Sequence, residues 1–356
     1  MGLKVRALLA CLGGLGTASA LAATPGTTAA ATAPTPGAAS CPAPDKPLTE
    51  QQRKFHPGHY VAIGRAEVPG GFGAVVSKGV VGVQLRYRWA ELEPAEGQYE
   101  FSAVARDLET ARKSGVQLVV LVEDKSFTDD LPTPAYLQSK YTLRNHNRGY
   151  TAMRWDPYVS DRLAQLVARL GAQFDCDPNL EGVAFQETSP SLDDDALDAS
   201  GYTPDKYRDA LIGLLRSASA SLPRSRVFWY MNFLPRNQRY IGEIASAVVG
   251  TGVVMGGPDI LPDNRALEKR VYPFYDQFRG RLKLFNSMQH NSFRHRHGGD
   301  GGGGDYWSME DLFLYARDRL HVDYLFWDYH PQRQPPGSHD WNDAREVIAR
   351  HPTLSP

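Results

Sequence analysis

The chain contains 356 residues, of which 42% are hydrophobic and 22% are charged. Such a chain can bury one large core, and a single α/β barrel commonly needs about this many residues. The formal net charge is −1, and Lys and Arg form no dense run, so the sequence provides no field that would attract polyanions. We therefore expect no nucleic-acid partner.

Residues 1–22 have the pattern of an export signal. Lys4 and Arg6 make the start basic, residues 7–15 are apolar, and residues 20–22 (A-L-A) form a cleavage site of the small-x-small type. This pattern predicts a secreted or periplasmic protein whose mature chain begins near residue 23.

Residues 8–11 (L-L-A-C) also resemble a lipoprotein cleavage site. The apolar stretch continues past Cys11, however, which favours an ordinary signal peptide over lipidation. No later segment is apolar over the length that a bilayer requires, so we expect no membrane span.

Residues 23–46 are rich in Ala, Thr and Pro, a composition typical of a semi-extended linker that cannot bury a core. Removal of the signal peptide leaves two cysteines, Cys41 and Cys176. In an oxidising compartment they could form a disulfide that ties the end of the linker to the barrel; two free thiols are the alternative.

From His59 onward, short β-rich runs alternate with longer helical patterns, as expected of βα units. The predicted strands are residues 60–64, 81–86, 117–122, 182–186, 226–232, 252–256, 282–288 and 322–327. The predicted helices are residues 102–114, 159–174, 204–221, 238–248, 266–279, 309–319 and 342–350, with a short, weakly indicated one around 72–78. Eight strands that are each followed by a helix predict an α/β fold, a (β/α)8 TIM barrel over residues 47–356.

The fourth predicted strand ends on Gln186 and Glu187. In a barrel of parallel strands, a carboxylate at this end of a strand is poised over the central pocket. The alternative is that Glu187 only caps the turn formed with Thr188 and Ser189.

The segment after the second strand, R-Y-R-W-A-E-L-E-P-A-E-G-Q-Y-E-F-S over residues 86–102, resembles a segment of the (β/α)8 clan of retaining glycoside hydrolases that includes cellulase-like and β-galactosidase-like families. Looser similarities follow in the same order: W-D-P at residues 155–157, Q-E at 186–187 and F-W at 326–327. The resemblance extends over residues 59–350 and implies a glycosidase that acts on an oligo- or polysaccharide.

The resemblance also implies a role for each matching residue. Glu187 would be the general acid/base, which protonates the leaving glycosidic oxygen and later activates water. Gln186 stands where the clan usually has Asn and would hydrogen-bond a sugar hydroxyl. Arg86 would orient a carboxylate on the pocket floor, and Trp327 would stack on a pyranose ring, unless it is a core residue that closes the barrel.

One departure from the clan concerns its nucleophile, a Glu at the end of the seventh strand. Residues 281–293 contain no acid, and Gln289 stands near the expected place. Because an amide cannot form the glycosyl ester, Asp259 and Asp328 become the candidates for the second catalytic carboxylate. Neither is expected at retaining distance from Glu187, so we predict inversion or a substrate-assisted route. If Trp327 faces the cavity, alternation turns Asp328 away and favours Asp259.

Polar residues at other strand ends extend the predicted site. Glu123 is one of them, and those predicted to bind substrate besides Arg86, Gln186 and Trp327 are Asp124, Lys125, Trp229, Asn232, Gln289 and His290. His290, His295 and His297 invite a metal interpretation, but the glycine-rich residues 291–305 favour a long, poorly ordered loop beside the pocket. We expect no metal or cofactor, a carbohydrate as the partner, and a monomer.

Two alternatives to a glycosidase stay open. A sugar-binding barrel could keep the pocket and Glu187 without catalysis, because the usual nucleophile is missing. A weaker alternative is a metal-assisted hydrolase built on the histidines.

Overall fold

Eight parallel strands close into a barrel in the computed structural model, which describes residues 41–64, 67, 71–298 and 303–355. The barrel strands are β1 (Gly58–Ile63), β2 (Val80–Arg88), β3 (Gln117–Glu123), β6 (Leu180–Phe185), β7 (Arg226–Tyr230), β8 (Val253–Gly257), β9 (Lys283–Met288) and β10 (Tyr324–Asp328). They pair in chain order, and β10 closes on β1. The predicted TIM barrel and all eight predicted strands are confirmed. The predicted signal peptide and residues 23–40 of the predicted linker lie outside the described residues.

Alternation along the strands divides the core into two layers, because successive side chains of a strand point to opposite faces. Aromatic rings fill the interior of the barrel, where Phe285 meets Phe228 and Phe326 edge-on at centroid distances of 5.5 and 5.6 Å. The outward-facing residues pack under the helices in a larger apolar cluster. The barrel interior is therefore filled by side chains, so within the barrel a ligand could bind only at the ends of the strands.

Helices follow the strands around the barrel. They are α1 (Trp89–Leu92), α2 (Ser102–Ser114), α3 (Ala135–Tyr141), α4 (Pro157–Phe174), α5 (Asp194–Ala199), α6 (Pro204–Ser221), α7 (Tyr240–Ala247), α8 (Arg265–Arg270), α9 (Pro273–Phe278), α10 (His290–Phe293), α11 (Met309–Leu314) and α12 (Trp341–Arg350). The caps explain the boundaries that the sequence predicts well: the side chains of Asp156 and Thr203 accept backbone N–H groups at the starts of α4 and α6, each followed by Pro.

Several elements differ from the prediction. The helix predicted over residues 266–279 is divided into α8 and α9, because Pro273 begins a new helix. The helix predicted over 309–319 ends in a π-helical turn, Tyr315–Arg319. The one expected around 72–78 is a single 3-10 turn, Phe72–Ala74. An unpredicted hairpin of β4 (Thr142–Arg144) and β5 (Tyr150–Ala152) follows α3.

Residues 50–57 close the amino-terminal end of the barrel. His56 contacts the fully buried carboxylate of Glu181 with 2.6 Å between Nδ1 and Oε2, and the Tyr324 hydroxyl donates to Oε1 of the same carboxylate at 2.6 Å. Lys54 donates to the backbone carbonyl oxygens of Asp175, Asp177 and Leu180. Polar groups at this end are thus occupied in holding the structure together.

Cys41 and Cys176 form a disulfide, as one of the two open alternatives anticipated. Their Cα atoms are 5.4 Å apart although 135 positions separate them in sequence. The Cys41 N–H also donates to the carbonyl oxygen of Ala172 in α4 at 2.7 Å. Residue 41 is therefore attached to the barrel by both a covalent and a hydrogen bond. None of the helices in the described ranges has the length and apolarity needed to cross a membrane.

Candidate functional site

A narrow pocket opens at the carboxyl ends of the strands. Its volume is about 90 Å³, and it is lined by Ala62, Gln84, Arg86, Leu121, Glu123, Phe127, Gln186, Glu187, Tyr230, Pro258, Ser287 and Gln289. Barrel enzymes carry their chemistry at this end, so this pocket is the candidate site.

Two larger cavities lie elsewhere on the barrel. One of about 810 Å³ is at the amino-terminal ends of the strands, between Phe55, Arg281 and Asp323. The other, of about 660 Å³, is a groove between α4 and α6. Neither receives side chains from the carboxyl ends of several strands, and we therefore place the candidate site in the smaller pocket despite its size.

Glu187 faces this pocket and is held by two side chains. One carboxylate oxygen forms an ion pair with Nζ of Lys125, and the other accepts a hydrogen bond from Nδ2 of Asn232. Lys125 is fully buried and also donates to the carbonyl oxygen of Ser189 and to Oγ of Ser191, both at 2.8 Å. Burial lowers the pKa of Lys125, and the charge of Glu187 opposes that shift.

The alternative in which Glu187 only caps its turn does not fit these contacts. The Ser189 N–H of that turn is accepted by Oδ1 of Asn232 at 2.8 Å, and Thr188 donates to the same oxygen at 3.2 Å. The structure thus brings together Glu187, Gln186, Arg86 and Gln289 at the pocket, with Lys125 and Asn232 holding the first of them.

Asp124 does not reach the pocket, contrary to its predicted contact with substrate. It follows the inward-facing Glu123, so alternation turns it away from the interior, where it is 1% exposed. Its Oδ2 lies 2.5 Å from Nε of Arg154, and Arg154 donates to the carbonyl oxygens of Gln186 and Glu187 at 3.1 and 2.9 Å. Asp124 therefore positions the arginine that fixes the backbone of the site.

Arg86 and Asp328 form an ion pair inside the pocket end of the barrel, with 3.2 Å between Nη2 and Oδ1. This contact agrees with the expectation that Arg86 would orient a carboxylate. Burial raises the pKa of Asp328, and Arg86 opposes that shift. Burial also raises the pKa of Glu123, which lines the same pocket.

The two predicted tryptophans lie on the outer face of the barrel. Trp327 is fully buried and donates from Nε1 to Nδ1 of His59 at 3.0 Å, and Trp229 is 1% exposed in the same outer layer. Neither ring can receive a sugar, so their predicted substrate contacts are wrong, and Trp327 fits the alternative of a core residue. Because Trp327 points outward, its neighbour Asp328 points inward. The preference for Asp259 assumed the opposite, with Trp327 facing the cavity and Asp328 turned away.

Phe127 is the aromatic residue that the sequence reasoning missed. Its side chain is 51% exposed at the edge of the pocket, and Nζ of Lys125 lies 4.7 Å from its ring centroid. An exposed ring beside a polar pocket offers the flat apolar face that was expected of Trp327. The available signal was a single Phe in the polar run that follows the third strand.

Asp259 and His290 lie beside the pocket and are not among the residues that line it. Oδ1 of Asp259 is buried and lacks a hydrogen-bond partner among the described residues. Burial, with a smaller contribution from the charge of Glu187, raises the pKa of Asp259 to about 7. His290 contacts His330 with 3.4 Å between their Nδ1 atoms, and burial lowers its pKa. His290 thus lies outside the pocket lining, and its contact with substrate stays a prediction.

The predicted loop over residues 291–305 is more regular than expected. It begins with the end of α10, and its two arms are paired: His297 donates its N–H to Asp305, and Trp307 donates to His295. The glycine-rich residues 299–302 lie outside the described residues. In the part of the chain that the structure covers, three or more His, Cys, Asp or Glu residues converge nowhere as a set that could hold a metal ion.

No family model matches the sequence, and neither does any curated protein. Among solved structures, the chain is similar to the exo-β-1,4-mannosidase Op5Man5 from Opitutaceae bacterium strain TAV5, with 13% identity, a TM-score of 0.52, and coverage of 81% of this chain and 56% of that one. It is also similar to an endogalactoceramidase, with 14% identity, a TM-score of 0.51 and coverage of 84% and 82%.

A β-galactosidase from Rahnella sp. R3 is a third similar structure, with 11% identity, a TM-score of 0.54 and coverage of 85% of this chain and 56% of that one. The chain thus spans little more than half the length of the mannosidase and of this galactosidase. At such identities the likeness shows the fold, a (β/α)8 barrel like that of glycoside hydrolases. The chemistry has to be argued from the residues of the pocket.

Proposed function

We propose that this protein is an exported enzyme that hydrolyses glycosidic bonds in an oligo- or polysaccharide, with Glu187 as a catalytic carboxylate. The observation that carries the proposal is the environment of Glu187 at the carboxyl ends of the strands. Buried Lys125 and Asn232 fix its two oxygens, and Arg86 and Gln186 line the same pocket. A carboxylate whose position is fixed by buried neighbours beside an open cavity has the preorganisation that a catalytic group needs.

The contacts of Glu187 favour the base half of its acid/base role. A cation and an amide donor both interact better with a carboxylate than with a neutral acid. In its ionised form Glu187 can accept a proton from an attacking water molecule. Donation of a proton to the leaving oxygen then has to come from another group.

The pocket has features suited to a sugar. Amide and hydroxyl groups of Gln186, Gln289 and Ser287 can exchange hydrogen bonds with sugar hydroxyls. The pocket volume of about 90 Å³ is well below the roughly 300–1,000 Å³ of a site that encloses a whole ligand. Only the reacting end of a saccharide would enter, and the remainder would lie across the mouth, where Phe127 is exposed.

Export is supported by two features. Residues 1–22 have the composition of a signal peptide. The disulfide between Cys41 and Cys176 is a bond that persists in oxidising compartments and is rare in the cytosol.

A second function, sugar binding without cleavage, is favoured by one observation. Gln289 lines the pocket after the seventh barrel strand, where the families that the sequence resembles have their nucleophile. A barrel of this kind would bind a saccharide in the same pocket and release it unchanged.

A screen of aryl glycosides and oligosaccharides with the wild type, Glu187→Gln and Glu243→Gln would test the proposal. Glu243 is an exposed residue of α7 and serves as the matched control. We expect turnover by the wild type and the control, and a loss of about 10²–10⁴-fold in Glu187→Gln. Saccharide binding without turnover by all three proteins would support the second function. If the wild type shows no saccharide binding and no turnover, both functions are refuted.

A further inference from the structure

We propose that Glu123 is the second catalytic carboxyl group and donates the proton to the departing glycosidic oxygen, while Glu187 acts as the carboxylate. This inference rests on the proposed function and assigns the acid that it lacks. Glu123 comes from β3, whereas the resemblance located the pair on the fourth and seventh barrel strands. In the sequence, Glu123 is one of several polar residues at the ends of predicted strands.

The geometry brings the two carboxyl groups into one pocket from adjacent strands. β3 pairs with β6, and Val122 lies opposite Phe185 in the register. Glu123 therefore lies across from Gln186, on strands that are about 4.8 Å apart, with Glu187 one residue further. Both glutamates line the pocket. Glu123 shares its inward face with Val119 and Leu121, two residues of the barrel interior.

The two glutamates have opposite environments. Glu187 has a cation and an amide at its oxygens. Within the described residues, neither a hydrogen bond nor an ion pair engages the side chain of Glu123, and burial raises its pKa. Arg86 opposes that shift but is in direct contact with Asp328. A carboxyl group without a cation at its oxygens is better placed to carry a transferable proton than one that a cation contacts directly.

The other acids near the pocket are less suited to the role. Asp328 is engaged by Arg86, which stabilises its ionised form. Asp259 has a raised pKa but does not line the pocket. Glu123 combines access to the pocket with surroundings that favour the protonated form.

The two glutamates would hydrolyse the glycosidic bond in a single displacement at the anomeric carbon. The carboxylic proton of Glu123 passes to the glycosidic oxygen as the bond between that oxygen and the anomeric carbon breaks. A water molecule attacks the anomeric carbon, and its proton passes to Glu187. The products are an alcohol and a sugar hemiacetal, and proton exchange with solvent restores the protonated Glu123 and the ionised Glu187. The step inverts the anomeric configuration.

Leaving-group dependence tests the assignment, because an acid matters little when the leaving group needs no proton. For Glu123→Gln, we expect kcat/KM on an unactivated oligosaccharide to fall by about 10²–10⁴-fold. On the dinitrophenyl glycoside of the same sugar it should fall by less than about tenfold. Glu187→Gln should lose activity on both substrates, and Glu100→Gln, an exposed glutamate ahead of α2, should lose it on neither.

A pH profile provides a readout that a purely structural role would not move. The groups with charges that act on Glu123 are Arg86, Arg88, Glu91 and Asp124. On the unactivated oligosaccharide, the wild type should lose kcat/KM at high pH as Glu123 deprotonates, and Glu123→Gln should lack that alkaline limb. Equal losses on both substrates, or an unchanged alkaline limb, would overturn the assignment while leaving the glycosidase proposal standing. A wild type that hydrolyses no glycoside would overturn both.

Discussion

Arg86 and Asp328 connect two strands that are not neighbours. The 3.2 Å contact between Nη2 and Oδ1 joins β2 to β10 across β1, which pairs with both. The contact lies at the end of the barrel where the pocket opens. It therefore fixes the pocket wall at the point where the barrel closes.

The first prediction concerns this ion pair. Arg86→Met removes the cation, and we expect a coupling energy with Asp328→Asn of about 1 kcal/mol, the upper range for pairs that solvent partly screens. The side chains are 39% and 22% exposed, so the larger values of buried pairs do not apply. Urea unfolding of the wild type, the two single variants and the double variant at pH 7 measures it. Additive effects of the two substitutions would contradict the prediction.

The second prediction concerns Phe127. Because the ring is exposed, Phe127→Ala should change the free energy of unfolding by less than about 0.5 kcal/mol. Affinity for the saccharide should fall by roughly tenfold, the effect of losing an aromatic contact of about 1.5 kcal/mol. Trp327→Phe is the matched control and should do the opposite, lowering stability without changing affinity. Calorimetric titration and thermal unfolding measure both, and an unchanged affinity in Phe127→Ala would remove the ring from the binding surface.

The third prediction is a dependence of stability on pH. The hydrogen bond with Glu181 raises the pKa of His56 above its usual value, although burial opposes it. A histidine with a raised pKa in the folded state stabilises the protein fully below about pH 6.5 and loses that contribution as pH rises through the folded pKa. The free energy of unfolding should therefore decrease from pH 6 to 8.

His56→Gln isolates this effect, because the free energy of unfolding of the variant should decrease less than that of the wild type between pH 6 and 8. Above pH 8 the sign reverses for another group, because burial lowers the pKa of Lys54 to about 8. When a lysine has a lowered pKa in the folded state, the free energy of unfolding increases as pH rises toward the pKa of that lysine in the unfolded chain. Identical slopes for the wild type and His56→Gln between pH 6 and 8 would show that the pair does not titrate as proposed.

The fourth prediction concerns the disulfide. Replacement of both Cys41 and Cys176 by Ser should lower the free energy of unfolding by about 2–5 kcal/mol, because the open chain has more conformations in the unfolded state. Urea unfolding with and without reductant measures it. Reductant should bring the wild type to the level of the double variant and leave the variant itself unchanged.

The fold could be predicted from the sequence because its signals are local. Each barrel strand is a short apolar run, and helices such as α4 and α6 begin next to the capping residues that the sequence provides, Asp156 and Thr203. The hairpin of β4 and β5 was missed because strands of three residues carry no periodicity. The break between α8 and α9 was missed because the helical pattern continues across it and only Pro273 marks the start of a new helix.

The site was predicted only in part. Its geometry depends on which face of a strand each side chain occupies and on contacts between residues far apart in sequence. A shift of one residue decides whether Trp327 or Asp328 faces the pocket, and the pattern alone allowed either. Lys125 and Glu187 are 62 positions apart, so no local motif reports their ion pair. Glu123 could have been found from its alternation with Leu121, which is a signal of orientation rather than of composition.

The disulfide turns residues 41–176 into a covalent ring that contains the first three barrel strands. Both ion pairs of the pocket cross the boundary of this ring: the cations, Arg86 and Lys125, lie inside it, and the carboxylates, Asp328 and Glu187, lie outside. A partly folded chain that keeps only the ring would hold the positive charges of the pocket without their partners. Assembly of the pocket is therefore coupled to docking of the last five strands onto the ring.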